Sequence, residues 1–190
     1  MNGNLAYQEE PREEIIGGRV VMMAPASINH NRISKNLARI FDDHLRGRPC
    51  EYFLEAGLYL QTDEEEYIPD GMVVCDPAKV RDTGVFGTPD LVVEILSRST
   101  AKYDKGRKKD TYERFGVREY WIVDPFSLSV EQYVLEDGKL VLRDIFHKYP
   151  PSVLSGMKER ERAAVVDAFP CAIFEGLTVR LDDVFGRVMI

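Results

Sequence analysis

Hydrophobic positions along the chain change period several times, and each change marks an element. Residues 91–96 (LVVEIL) form an almost unbroken apolar run, the pattern of a strand covered on both faces. A second apolar run, 72–75, follows Tyr67-Ile68-Pro69-Asp70, and predicts a strand over 70–75. Ile33, Leu37, Ile40, Phe41 and Leu45 recur at helical spacing behind a candidate N-cap, Ser27, which predicts a helix over 27–45. Residues 14–23 read as a hairpin turning on Gly17-Gly18, and 129–135 with 139–146 as another turning on Glu136-Asp137-Gly138. Alternation over 50–60 predicts a strand, while the acidic stretch 62–66 predicts a solvated loop.

Between the strands predicted at 90–96 and 119–123 lies a basic helix over 101–115, capped by Ser99 or Thr100 and stopped by Gly116. Strand, helix and strand in that order imply a right-handed parallel crossover. Residues 154–163 predict a short surface helix or loop, and 165–166 with 174–185 a last short strand and a helical turn. The fold class that follows is α/β: one domain over 14–190 with a mixed central sheet flanked by helices, preceded by a flexible segment over 1–13.

Composition narrows this picture only a little. The 190 residues are 44% hydrophobic and 30% charged, ordinary for a globular domain. No run reaches the roughly 18–20 apolar residues of a membrane span, and the first residues lack a signal-peptide pattern. Cys50, Cys75 and Cys171 have no zinc spacing and no evident pairing, so each is expected to be a small buried apolar residue in a reducing cytoplasm. A net charge of −7 argues against broad phosphate neutralisation without excluding a local basic face.

The chemistry centres on Glu94, a carboxylate inside a buried strand. Such a group costs several kcal/mol unless an ion or a metal compensates it. Asp70 opens the preceding strand. If the two strands are neighbours, about 4.8 Å apart, both carboxylates can converge on one divalent ion. On the helix, Asp104, Lys108 and Tyr112 share a face at i, i+4 spacing, so Lys108 is the candidate for a cation at the same place. Each signal has an ordinary alternative: Asp70 as a turn residue, Lys108 as a solvated lysine paired with Asp104, and His30 as a local hydrogen-bonding group near a helix start. Tyr120 and Trp121 read as core, and Asp90 and Asp124 as turn residues.

The order of Pro69-Asp70, a strand reading VEIL and a basic helix resembles the PD-(D/E)XK nuclease superfamily and, more narrowly, the Uma-two family of restriction-endonuclease-like proteins. The segments that carry the resemblance are EIIGGRVVMMAPASINHNRISKNLAR, YIPDGMVVCDP, GTPDLVVEILSRSTAKYDKGRKKDTYERFGVREYWIVDP and FEGLTVRLDDVF. The resemblance implies a restriction-endonuclease-like fold and a metal-dependent endonuclease that hydrolyses phosphodiester bonds of DNA. Asp70 and Glu94 match the metal-binding acidic pair, with Mg²⁺ or Mn²⁺ as cofactor. The superfamily's lysine two residues after the glutamate is Leu96 here, and the resemblance moves that role to Lys108. Glu14 and His30 match recurring family positions and, with Asp104, are expected to support the metal site. Nucleic acid is the expected partner, a homodimer the expected assembly, and a catalytically inactive nuclease-fold module binding nucleic acid or protein the alternative.

Overall fold

In the computed structural model, residues 12–60 and 64–189 are described. The segment expected to be flexible, 1–13, lies outside them up to residue 11, and Glu13 already belongs to a strand. The chain begins with β1 (Glu13–Ile16) and β2 (Arg19–Met22), joined through Gly17 and Gly18 at φ 60° and 70°. Positive φ at both turn positions is what a tight hairpin needs. Helix α1 (Ile28–Leu45) follows, with the Ser27 hydroxyl accepting from the His30 amide at 3.1 Å.

The stretch predicted as one strand over 50–60 is two: β3 (Glu51–Phe53) and β4 (Leu58–Tyr59), separated by a bend in which Glu55 takes φ 45°. β5 (Glu65–Tyr67), β6 (Gly71–Val74), β7 (Val80–Arg81), β8 (Gly84–Phe86) and β9 (Leu91–Ile95) come next. β5 corrects the expected solvated loop: Glu65 is fully buried because Arg107 reaches it, while residues 62 and 63 lie outside the description. The crossover comprises α2 (Ala101–Tyr103), a wide π-type turn (Asp104–Lys108) with a non-helical Gly106, and α3 (Lys109–Phe115). After it run β10 (Glu119–Asp124), β11 (Ser129–Glu136) and β12 (Lys139–His147). The chain closes with α4 (Pro151–Gly156), α5 (Glu159–Ala163), the small β13 (Ala168–Pro170)–β14 (Thr178–Arg180) ladder and α6 (Leu181–Val184).

The central sheet has the order β12-β11-β10-β9-β6-β3, mixed as expected: β9 and β10 are parallel and the other pairs antiparallel. Its two faces separate the core. Val73, Leu91, Val93, Ile95, Trp121 and Val123 pack against α1 and the C-terminal residues. Met72, Val74, Val92, Tyr120 and Ile122 face Tyr112 and the second sheet, ordered β2-β1-β5-β4-β8-β7. Alternate residues of a strand point to opposite faces, so even-numbered positions of β6 and β9 share the second face. That face holds the site.

Two local features fix the edge of the central sheet. Gly71 lies under the Tyr52 ring, and a Cβ there would stand 1.9 Å from the tyrosine oxygen. Only glycine fits directly after Asp70. At the other end of the same strand pair, Cys50 and Cys75 form a disulfide with their Cα atoms 3.8 Å apart. This corrects the expectation of three unpaired cysteines. The β3–β6 register pairs Glu51 with Val74, which places the two cysteines opposite one another, a relationship invisible until the strands are paired. It also removes one of the grounds for a reducing compartment. Cys171 is free and buried.

Candidate active site

Ladder register brings the two predicted acids together. β6 and β9 pair Gly71 with Val93, and one further step sets Asp70 beside Glu94 on the same face. Both line a cleft of about 1110 Å³, together with Glu14, His30, Glu55, Asp104 and Lys108. All six residues singled out from the sequence therefore meet in one place. Glu55 was not among them.

Asp70 is held from two sides: the Ile95 amide donates to Oδ2 at 2.6 Å, and His30 Nε2 lies 2.9 Å from Oδ1. His30 reaches it from the first turn of α1, which the Ser27 cap starts. Burial disfavours charge on this imidazole, but the hydrogen bond to Asp70 and the charges of Asp70, Glu55 and Asp104 outweigh it. The His30 pKa is raised.

Glu94 faces the crossover. Its Oε1 accepts from Tyr112 Oη at 2.7 Å and from Lys108 Nζ at 3.1 Å. Lys108 also lies 2.7 Å from Glu14 Oε1 and 3.7 Å from Asp104 Oδ1. Burial opposes the ammonium charge, yet Glu94, Glu14 and Asp104 together hold its pKa above the ordinary lysine value. One ammonium cannot neutralise three carboxylates. Burial, opposed by Lys108, pushes Asp104 up to about 6, and Glu94 is also raised well above the carboxylate range. The wide turn at 104–108 lets Asp104 and Lys108 both face inward, and such turns recur at functional sites.

His30, Glu55 and Asp70 each offer a ligand atom, and these atoms lie within 4.8 Å of one another. An imidazole and two carboxylates are donors that suit a divalent cation, so the residues present fit a metal of the kind the sequence implied. Glu94 lies outside this group, its Oε1 engaged by Lys108 and Tyr112. Glu55 escaped the sequence reading because the alternation over 50–60 hid the bend that turns it into the cleft, and no motif surrounds it.

The remaining basic residues of the crossover behave as a solvated face. Lys105 pairs with Glu131, Arg107 with Glu65 and Lys109 with Glu113. Asp124 serves as a turn residue, its Oδ1 accepting from the Phe126 amide, whereas the carboxylate of Asp90 makes long-range ties, Oδ2 accepting from the Cys75 amide and Oδ1 pairing with Arg118. Tyr120 and Trp121 are fully buried.

A family model described as "Putative restriction endonuclease", Uma2, matches residues 4–163. The chain belongs to the Uma2 family. Two relatives from Synechocystis sp. are each 33% identical to this Uma2 chain. The uncharacterized protein sll1609 aligns over 130 residues, 66% of this chain and 73% of the relative. The uncharacterized protein slr1290 aligns over 137 residues, 70% of this chain and 72% of the relative. Among solved structures, a putative nuclease belonging to DUF820 from Anabaena variabilis superposes with a TM-score of 0.67 at 17% identity, over 95% of this chain and 93% of that one. At that identity the likeness shows the fold alone. Among the described residues, no helix of this Uma2 protein is long and apolar enough to cross a membrane.

Proposed function

We propose that this protein is a metal-dependent endonuclease hydrolysing phosphodiester bonds of DNA. The observation that carries the reading is the convergence of Asp70, Glu94 and Lys108, from two adjacent strands and the crossover, in one cleft. Asp70, with Glu94 beside it, would hold Mg²⁺ or Mn²⁺. When bound, the ion would supply Lewis-acid charge that stabilises the developing negative charge and eases deprotonation of the attacking water.

The chain's own residues supply the rest. Asp70 is immobilised by the Ile95 amide and His30, so its carboxylate keeps one orientation. Lys108 is buried and charged, a fixed cation for the negative charge that grows on a phosphodiester under attack. Glu14 and Tyr112 keep the ammonium and Glu94 in place. The reading includes a homodimer as the working form, so that two sites meet the two strands of a duplex.

A second reading has one observation in its favour. The position two residues after Glu94 carries the apolar, buried Leu96 rather than a lysine, which suits a nuclease fold kept for binding nucleic acid or protein without turnover. Incubation with plasmid DNA in Mg²⁺ and in Mn²⁺ separates the two. Nicking lost in Asp70→Asn and Glu94→Gln supports the enzyme. Salt-sensitive DNA binding with no cleavage of DNA or RNA, unchanged in Glu94→Gln, supports the binding module.

A further inference from the structure

We infer that Glu55 is a direct ligand of the divalent ion alongside His30 and Asp70, and that this nitrogen-containing set favours Mn²⁺ over Mg²⁺. The inference rests on the metal-dependent reading above and specifies its metal site. Four observations support it.

The ligand atoms of His30, Glu55 and Asp70 already lie within 4.8 Å of one another, with Asp70 and His30 in contact at 2.9 Å. Strand register explains why. The β3–β6 ladder ends at the Phe53–Met72 pair, so the bend that carries Glu55 leaves the sheet beside Asp70, which is itself level with Glu94. Glu55 holds φ 45°, a conformation that costs a non-glycine residue free energy and that gathers at functional sites. Lastly, the same cleft contains a buried polar atom with no hydrogen-bond partner, His30 Nδ1. A polar site in which carboxylates outnumber cations around an unpartnered imidazole nitrogen is what a cation would complete.

The donor chemistry gives the metal preference. Mg²⁺ takes oxygen donors and keeps its waters, whereas an imidazole in the set suits first-row transition ions. Arg12 pairs with Glu55 from a side chain that is 58% exposed, so it can swing into solvent when an ion takes its place.

The test uses the full chain, titrated calorimetrically with MnCl₂ and with MgCl₂. In parallel, pulsed EPR of the Mn²⁺ complex is recorded on protein with ¹⁵N-labelled histidine. Mn²⁺ is expected to bind at least about tenfold more tightly than Mg²⁺, with a resolved ¹⁵N coupling that His30→Gln abolishes. Glu55→Gln is expected to weaken Mn²⁺ binding about tenfold or more. Arg12→Ala, a change at an exposed side chain, is expected to tighten it. A missing nitrogen coupling, or Glu55→Gln within about twofold of the unaltered protein, overturns the inference and leaves the nuclease reading standing. Binding of neither ion overturns both. Mn²⁺ bound as inferred with DNA left uncut upholds the inference and removes the nuclease reading.

Discussion

Lys108 lies closer to Glu14 than to Glu94: its Nζ stands 2.7 Å from Glu14 Oε1 and 3.1 Å from Glu94 Oε1. The cation expected to assist at the strand pair is thus anchored by a residue from the N-terminal hairpin, in the other sheet. Glu14 is itself fixed, because its Oε1 accepts from the Ile68 amide at 2.9 Å, two residues before Asp70. Both halves of the cleft are therefore coupled through one ammonium group.

Removing that group should cost stability as well as function. Lys108→Met leaves Glu14, Glu94 and Asp104 buried without their cation, and breaking a buried pair in this way costs about 3–5 kcal/mol. Urea denaturation measures it. Lys108→Met with Glu94→Gln should recover part of the loss, since one of the unmatched charges is gone.

Asp70→Asn separates chemistry from folding. The amide oxygen can still accept from the Ile95 amide, so the thermal midpoint should move little. Cleavage should fall by on the order of 10²–10³ or more, the usual cost of losing one preorganised electrostatic group. Rates from single-turnover assays at saturating Mn²⁺ would check it.

Acid stability should depend on Glu65. Burial raises its pKa, but the Tyr67 hydroxyl, the Arg107 guanidinium at 2.6 and 2.9 Å and the Gly17 amide outweigh burial, and the value is lowered in the folded protein. A carboxyl depressed by folding contributes stability above its unfolded value, about 4.3, and loses it as pH falls through the folded value. Glu65→Gln should therefore be less stable than the unaltered protein at pH 7, with the two melting curves converging below pH 4. Parallel curves would contradict this.

Glu119 should hold the C-terminal residues to the central sheet. It is fully buried, and its two oxygens accept from Trp121 Nε1, Gln132 Nε2, Cys171 Sγ and the amides of Ala172 and Ile173 at 2.6 to 3.1 Å. Glu119→Ala leaves these donors unmatched and should cost about 3–5 kcal/mol. Hydrogen exchange should quicken first at the amides of Ala172 and Ile173.

What could be read from the sequence divides along a physical line. Glu94 lies inside a strand, Asp70 directly before one and Lys108 at helical spacing from Asp104 and Tyr112, so their faces followed from strand alternation and helical spacing. The parallel β9–β10 pair followed from the intervening helix, and the Ser27 cap from the apolar spacing behind it. Glu55, Glu65, Glu119 and the Cys50–Cys75 pair depend on which strands are neighbours and on long-range partners such as Arg107 and Gln132. No local period encodes that. The short β7 and β8 were missed because two or three residues are too few to show alternation. Gly106 was hidden because a wide turn and a regular helix give the same i, i+4 signal.

The charge inventory of the cleft dictates an order of events. Glu14, Glu55, Asp70, Glu94 and Asp104 line it against three permanent cations: Arg12, Arg98 and Lys108. Arg12 pairs with Glu55, Arg98 stacks over the Phe126 ring and Lys108 is shared among acids. An incoming polyanion would meet repulsion until a divalent cation has offset it. Loading should therefore be sequential, metal before strand, and chelator should slow capture of the strand more than its release.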